Sequence, residues 1–70
     1  MADELATRIR AAREEAGLSR EHVAAALEVS LVTVVRMETG RTKRISAETL
    51  IAIARATGKP LSYFLGKVAA

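Results

Sequence analysis

Ser19 to Glu38, SREHVAAALEVSLVTVVRME, leaves the chain few ways to fold, because it holds two helix starts in quick succession. Ser19 can act as an N-cap for a helix over Arg20 to Leu27, its hydroxyl taking one of the backbone N–H groups that a first turn leaves unpaired. Ser30 can cap a second helix from Leu31 in the same way. Only Glu28 and Val29 lie between them, so the second helix must leave at a steep angle instead of folding back as a hairpin. Two short helices joined like this form a helix-turn-helix unit.

Periodicity agrees with that reading. Val23, Ala24 and Leu27 share one face of the first helix, and Val34 and Met37 share one face of the second. Val29 is placed to plug the angle between those faces, and Ala24 is small enough to let the two helices cross closely. Spacing alone is also compatible with two amphipathic helices of an ordinary bundle.

The chain has 70 residues, enough for one domain over 1–70, and so short a chain has little surface to bury. Half its residues are apolar, but many are alanine and the aromatics are Tyr63 and Phe64, so the expected core is aliphatic and small. With no cysteine, disulfides and thiolate metal sites are excluded and packing must supply the stability, which suits a reducing cytoplasm. No apolar run approaches the length of a membrane span, and Asp3, Glu4, Arg8 and Arg10 interrupt any signal-peptide core. The expectation is a soluble, cytoplasmic protein with no membrane contact. Its formal charge is +3, unevenly placed: residues 1–35 carry −2 and residues 36–70 carry +5. A polyanion would meet the second half.

Taken in order, Ala2 to Ala16 reads as a first helix, rich in Ala, Arg, Glu and Leu. Asp3 and Glu4 favour the positive end of its dipole, and Leu5, Ile9, Ala12 and Ala16 form its inward stripe. Gly17 provides a left-handed stop from which Leu18 can fold back. After the two-helix unit, Thr39 and Gly40 end the second helix. Arg41, Thr42, Lys43 and Arg44 then form a cationic loop. Ser46 caps a helix from Ala47 to about Thr57, with Thr49 at the third helical position and Leu50, Ile53 and Ala54 inward. Gly58 and Pro60 stop it. A last short helix from Leu61 is expected to bring Leu61, Phe64 and Leu65 back onto the core.

Over about residues 3–65 the chain resembles the lambdoid-phage repressor and Cro type of helix-turn-helix domain. The matching residues are Arg13, Gly17, Leu18, Ser19, Arg20, Val23, Ala24, Leu27, Val29, Ser30, Thr33, Val34, Arg36, Met37, Glu38 and Gly40, continued by Ser46, Glu48, Thr49, Leu50, Ile53 and Ala54. The resemblance implies an all-α, compact five-helix fold and a DNA-binding transcription regulator, repressor-like and dimeric, encoded by a bacterium or phage. It places the third helix in the major groove of double-stranded DNA, with Leu31, Val32, Val35 and Arg36 toward the bases. Arg36 would either read guanine O6 and N7 or hold a phosphate. Arg20 corresponds to a family position, often Gln, that touches the DNA backbone. Thr33, Arg41, Lys43 and Arg44 are further backbone candidates, and Arg13 and Glu38 look like the family's structural ion pair.

The sequence also departs from its relatives. Leu31, Val32 and Val35 stand where related domains carry polar residues, so the face meant for the groove is largely apolar. Such a patch could instead mark a protein interface, which leaves a protein-interaction module on the same scaffold as the second reading. Glu28 occupies a turn position where glycine is common, Ile45 replaces a frequent proline, and Thr57 and Lys59 fall where relatives bury Leu and Val. A second subunit of a homodimer would meet Ile51, Tyr63, Leu65 and Val68. His22 is the one histidine and sits on the outer side of its helix. No nucleophile, base or metal cluster suggests an enzyme, a cofactor or a bound metal.

Overall fold

The computed structural model describes residues 4–42 and 44–65. Five helices follow one another: α1 (Glu4–Glu15), α2 (Arg20–Leu27), α3 (Leu31–Glu38), α4 (Ala47–Thr57) and α5 (Leu61–Leu65). Three serines start the middle helices. Ser19 Oγ accepts from the His22 N–H at 3.0 Å, Ser30 Oγ from Thr33 at 3.2 Å and Ser46 Oγ from Thr49 at 3.1 Å. Each cap satisfies a donor that the first turn cannot.

The first four helices close alike. A residue with positive φ follows each helix, and the N–H of the next residue reaches back five positions to a helix carbonyl: Leu18 to Arg13, Val29 to Ala24, Arg41 to Arg36 and Lys59 to Ala54. Such closure returns the chain over the helix it has just left. The left-handed residue is glycine at 17, 40 and 58, but at 28 it is glutamate, with φ 59°. A side chain there meets its own carbonyl, so the tight turn between α2 and α3 is held under strain.

The core sits where α2 packs on α3 and α4, with α1 laid across α3, α4 and α5. Ile9, Val23, Val34 and Ile53 are its largest fully enclosed side chains. Leu5, Leu18, Leu27, Val29 and Ile45 are half-buried against it, so Val29 does plug the turn and Ile45 packs where a proline is frequent. Burying a side chain of this size stabilises by about 1.5–3 kcal/mol.

Several expectations need correction. Ala16 lies beyond the end of α1 and is exposed, while Ala6, outside the expected stripe, is buried. Asp3 lies outside the described residues. Leu61 and Leu65 are 38% and 40% exposed, and only Phe64 of α5 enters the core. With five residues, α5 makes barely more than one turn, too short to turn more than one large side chain fully inward, and that one is Phe64. Thr57 is buried like the Leu or Val it replaces, because its hydroxyl donates to the Ile53 carbonyl at 2.8 Å. Lys59 is half-buried, its Nζ 2.6 Å from Glu15 and 4.9 Å from the centre of the Tyr63 ring.

Relieving the strained turn should stabilise the fold. Glu28→Gly is expected to raise the free energy of unfolding by roughly 0.5–1 kcal/mol. Urea denaturation checks this, and an unchanged or lower midpoint would show that the left-handed glutamate carries no net strain.

Candidate nucleic-acid interface

Helix α3 has two unlike sides. Val34, Met37 and Glu38 face inward and are buried, whereas Leu31, Val32 and Val35 are 40%, 58% and 37% exposed, with Arg36 exposed beside them. The split follows from helical geometry, since Leu31 with Val35 and Val32 with Arg36 are pairs four residues apart. Capping by Ser30 engages Thr33 twice, through its N–H and through a 2.9 Å contact between the two hydroxyls. Thr33, expected at the DNA backbone, is therefore half-buried and part of the cap that fixes where α3 begins.

What holds the inner side is a buried ionic cluster. Arg13 Nε donates to Glu38 Oε2 at 2.6 Å and Arg13 Nη2 to Glu38 Oε1 at 3.1 Å, while Arg13 Nη1 donates to the Leu18 carbonyl at 2.9 Å. Arg20 Nε adds a third bond to Glu38 Oε1 at 3.1 Å. The Glu38 side chain is 1% exposed and that of Arg13 11%, so the carboxylate has left water almost completely and depends on these donors. The hydrogen bond to Glu38 raises the Arg13 pKa above its ordinary value, against the opposing effect of burial, so Arg13 stays charged at any pH the fold meets. Sequence reasoning paired Arg13 with Glu38 but assigned Arg20 to the backbone alone. In the fold its guanidinium, 40% exposed, is anchored to Glu38 from the first residue of α2.

Among the described residues, most cations away from α3 are matched by carboxylates, the exception being exposed Arg55 of α4, which none of the ion pairs includes. Arg8 pairs with Glu4, Arg10 with Glu14, Arg13 and Arg20 with Glu38, and Lys59 with Glu15. Arg36, Arg41 and Arg44 are exposed, and no ion pair joins them to any described carboxylate. The loop that carries Arg41 is folded onto the end of α3 by a 2.9 Å bond from the Arg41 N–H to the Arg36 carbonyl. An apolar helix face thus ends among uncompensated positive charges. Lys43 lies outside the described residues.

The residues offered to a second subunit are less uniform. Ile51 and Leu65 are each 40% exposed, whereas Tyr63 is half-buried. Its ring lies 5.9 Å from the Arg8 guanidinium, and its carbonyl accepts from Arg8 Nη1 at 2.9 Å. Val68 lies outside the described residues. His22 is exposed on α2, away from the core.

The family model described as "Helix-turn-helix" matches residues 9–64. The chain belongs to the Cro/C1-type helix-turn-helix family. This membership makes it a DNA-binding domain of the transcription-regulator kind and not an enzyme. The helix-turn-helix domain is similar to the crystal structure of the clp gene regulator ClgR from C. glutamicum, with 30% identity, a TM-score of 0.79, and 87% of this chain and 78% of that one covered. It also shares its fold with the restriction-modification controller protein C.AhdI from Aeromonas hydrophila, at 23% identity and a TM-score of 0.78, covering 86% of this chain and 89% of that one. No curated protein matches the chain. Among the described residues of the domain, no helix is long and apolar enough to cross a membrane, and no group of His, Cys, Asp or Glu has the arrangement of a metal site.

Placing α3 depends on Glu38 far more than on Arg20. Glu38→Gln is expected to destabilise the domain by about 3–5 kcal/mol, since it leaves buried Arg13 without its counter-charge. Arg20→Ala, which removes a half-exposed partner, should cost under about 1 kcal/mol. Thermal or urea melts of both variants check the contrast, and similar losses for the two would mean that Arg20 is as structural as Arg13.

Proposed function

We propose that this domain is a repressor-like transcription regulator that binds double-stranded DNA as a homodimer in the cytoplasm, with residues 1–70 acting as one unit. Helix α3 enters the major groove with Leu31, Val32, Val35 and Arg36 toward the bases. Arg41, Lys43 and Arg44 neutralise phosphates, and Arg20 and Thr33 contact the backbone from the two helix starts. Two copies on a two-fold related site would set their third helices about 34 Å apart, in successive major grooves.

One observation carries this reading. Arg36 on the outer face of α3, and Arg41 and Arg44 in the segment that follows the helix, pair with no described carboxylate, while the cations of the rest of the described surface, Arg55 excepted, do. Unpaired Arg and Lys beside a helix that fits the groove supply the sequence-independent, counterion-releasing part of DNA affinity. A second copy is favoured by Ile51, Leu61 and Leu65, large apolar side chains of α4 and α5 left 38–40% exposed. The alternative, a protein partner seated on Leu31, Val32 and Val35, rests on the same exposed apolar face without using the charges around it.

Binding to random-sequence duplex over a salt series tests the reading. Wild type should show a log–log slope of several released ions, and replacing Arg41, Lys43 and Arg44 together by Ala should flatten the slope by roughly 2–3. A folded protein with no affinity for duplex at low salt would overturn DNA binding and transfer the α3 face to a protein partner.

A further inference from the structure

The outer face of α3 is poorly equipped for hydrogen-bond readout. Leu31, Val32 and Val35 offer only alkyl groups, and the Thr33 hydroxyl is engaged with Ser30 at 2.9 Å. Arg36 is the one outward side chain of the helix's first two turns that can donate to a base edge. Discrimination among base pairs by donors and acceptors requires side chains such as Asn, Gln, Arg or Ser at several positions. The major groove holds one feature that an alkyl surface recognises: the methyl group at C5 of a pyrimidine, which thymine carries natively and cytosine gains when methylated.

We propose that α3 reads DNA chiefly through C5-methyl groups of pyrimidines, which pack against Leu31, Val32 and Val35, with Val32 at the centre of the contact. Val32 is 58% exposed, the most exposed large apolar side chain described, and it lies one helical turn before Arg36. The arginine then fixes the helix against a neighbouring guanine or phosphate while the valine tests for the methyl. The unpaired Arg36 beside the patch and Arg41 at the end of the helix select a polyanion as its occupant over an apolar protein surface, which would have to bury those charges. This inference rests on the DNA-binding reading above and concerns what the DNA must display.

The two are tested separately by one series of duplexes. Sequences enriched by the wild-type protein from a random duplex pool are resynthesised with deoxyuridine in place of thymidine, which removes the methyl groups and leaves every hydrogen-bonding atom unchanged. Affinity is expected to fall about fourfold for each contacted methyl. Val32→Ala, a change at an exposed site that leaves the helical circular dichroism intact, should bind the thymine duplex more weakly and discriminate less between thymine and uracil. At a position that shows the effect, a 5-methylcytosine·guanine pair is compared with cytosine·guanine. Tighter binding to the methylated pair means that the helix accepts the methyl from either base, and equal binding means that thymine alone supplies it. Equal affinity for thymine and uracil duplexes overturns methyl reading while leaving DNA binding in place. Absence of any duplex binding at low salt overturns both.

Discussion

A single carboxylate joins three of the five helices. Glu38, the last residue of α3, accepts three bonds from Arg13 of α1 and Arg20 of α2, and Arg13 in turn donates to the carbonyl of Leu18 where α1 turns into α2. An almost fully desolvated charge tolerates little displacement, because losing the buried donors of Arg13 leaves it without water to replace their bonds. The apolar core around Val34 and Met37 attracts α3 without direction. The ion cluster supplies the direction, fixing both the height and the rotation of the helix. The outward set of Leu31, Val32, Val35 and Arg36 follows from that rotation.

Local chemistry complements this long-range anchor at both ends of α3. Ser30 fixes the start, and the Arg41 N–H closes the end by bonding the Arg36 carbonyl, which sets exposed Arg41 directly after the helix. The tight turn before α3 is bought with a left-handed glutamate instead of a glycine. Strain at that joint is affordable because α3 is gripped at its far end by two arginines. A short helix held at start, end and inner face is a rigid reader, and rigidity matters for a surface that recognises by shape more than by hydrogen bonds.

Charge distribution separates the scaffold from the interface. On α1 and around α5, arginine and lysine are neutralised by carboxylates or laid over the Tyr63 ring, so they contribute to packing. Around α3 they are uncompensated. The +5 of the second half of the chain is thus not a uniform field: Lys59 belongs to the scaffold with Glu15, and Arg36, Arg41 and Arg44 make up much of the remainder. Membership of the helix-turn-helix family gives that asymmetry its use in binding DNA.

The sequence by itself determined the helices and their ends. Ser19, Ser30 and Ser46, the glycines at 17, 40 and 58, and the apolar spacing of α2 to α4 act within a few residues of one another, so their outcome needs no knowledge of the rest of the chain. The apolar character of the α3 face and the basic loop beside it were likewise legible, because exposure follows from helical phase once Val34 and Met37 are set inward. The Arg13–Glu38 pair was legible only through resemblance to related domains, since nothing local connects residues 25 apart. Only the tertiary structure decided that Arg20 shares Glu38, that Lys59 crosses to Glu15, and that Leu61 and Leu65 stay exposed while Phe64 enters the core. In each case the physical reason is the same. A long side chain or a one-turn helix takes its partner from whatever packing brings within reach, and that distance is set by how whole helices cross.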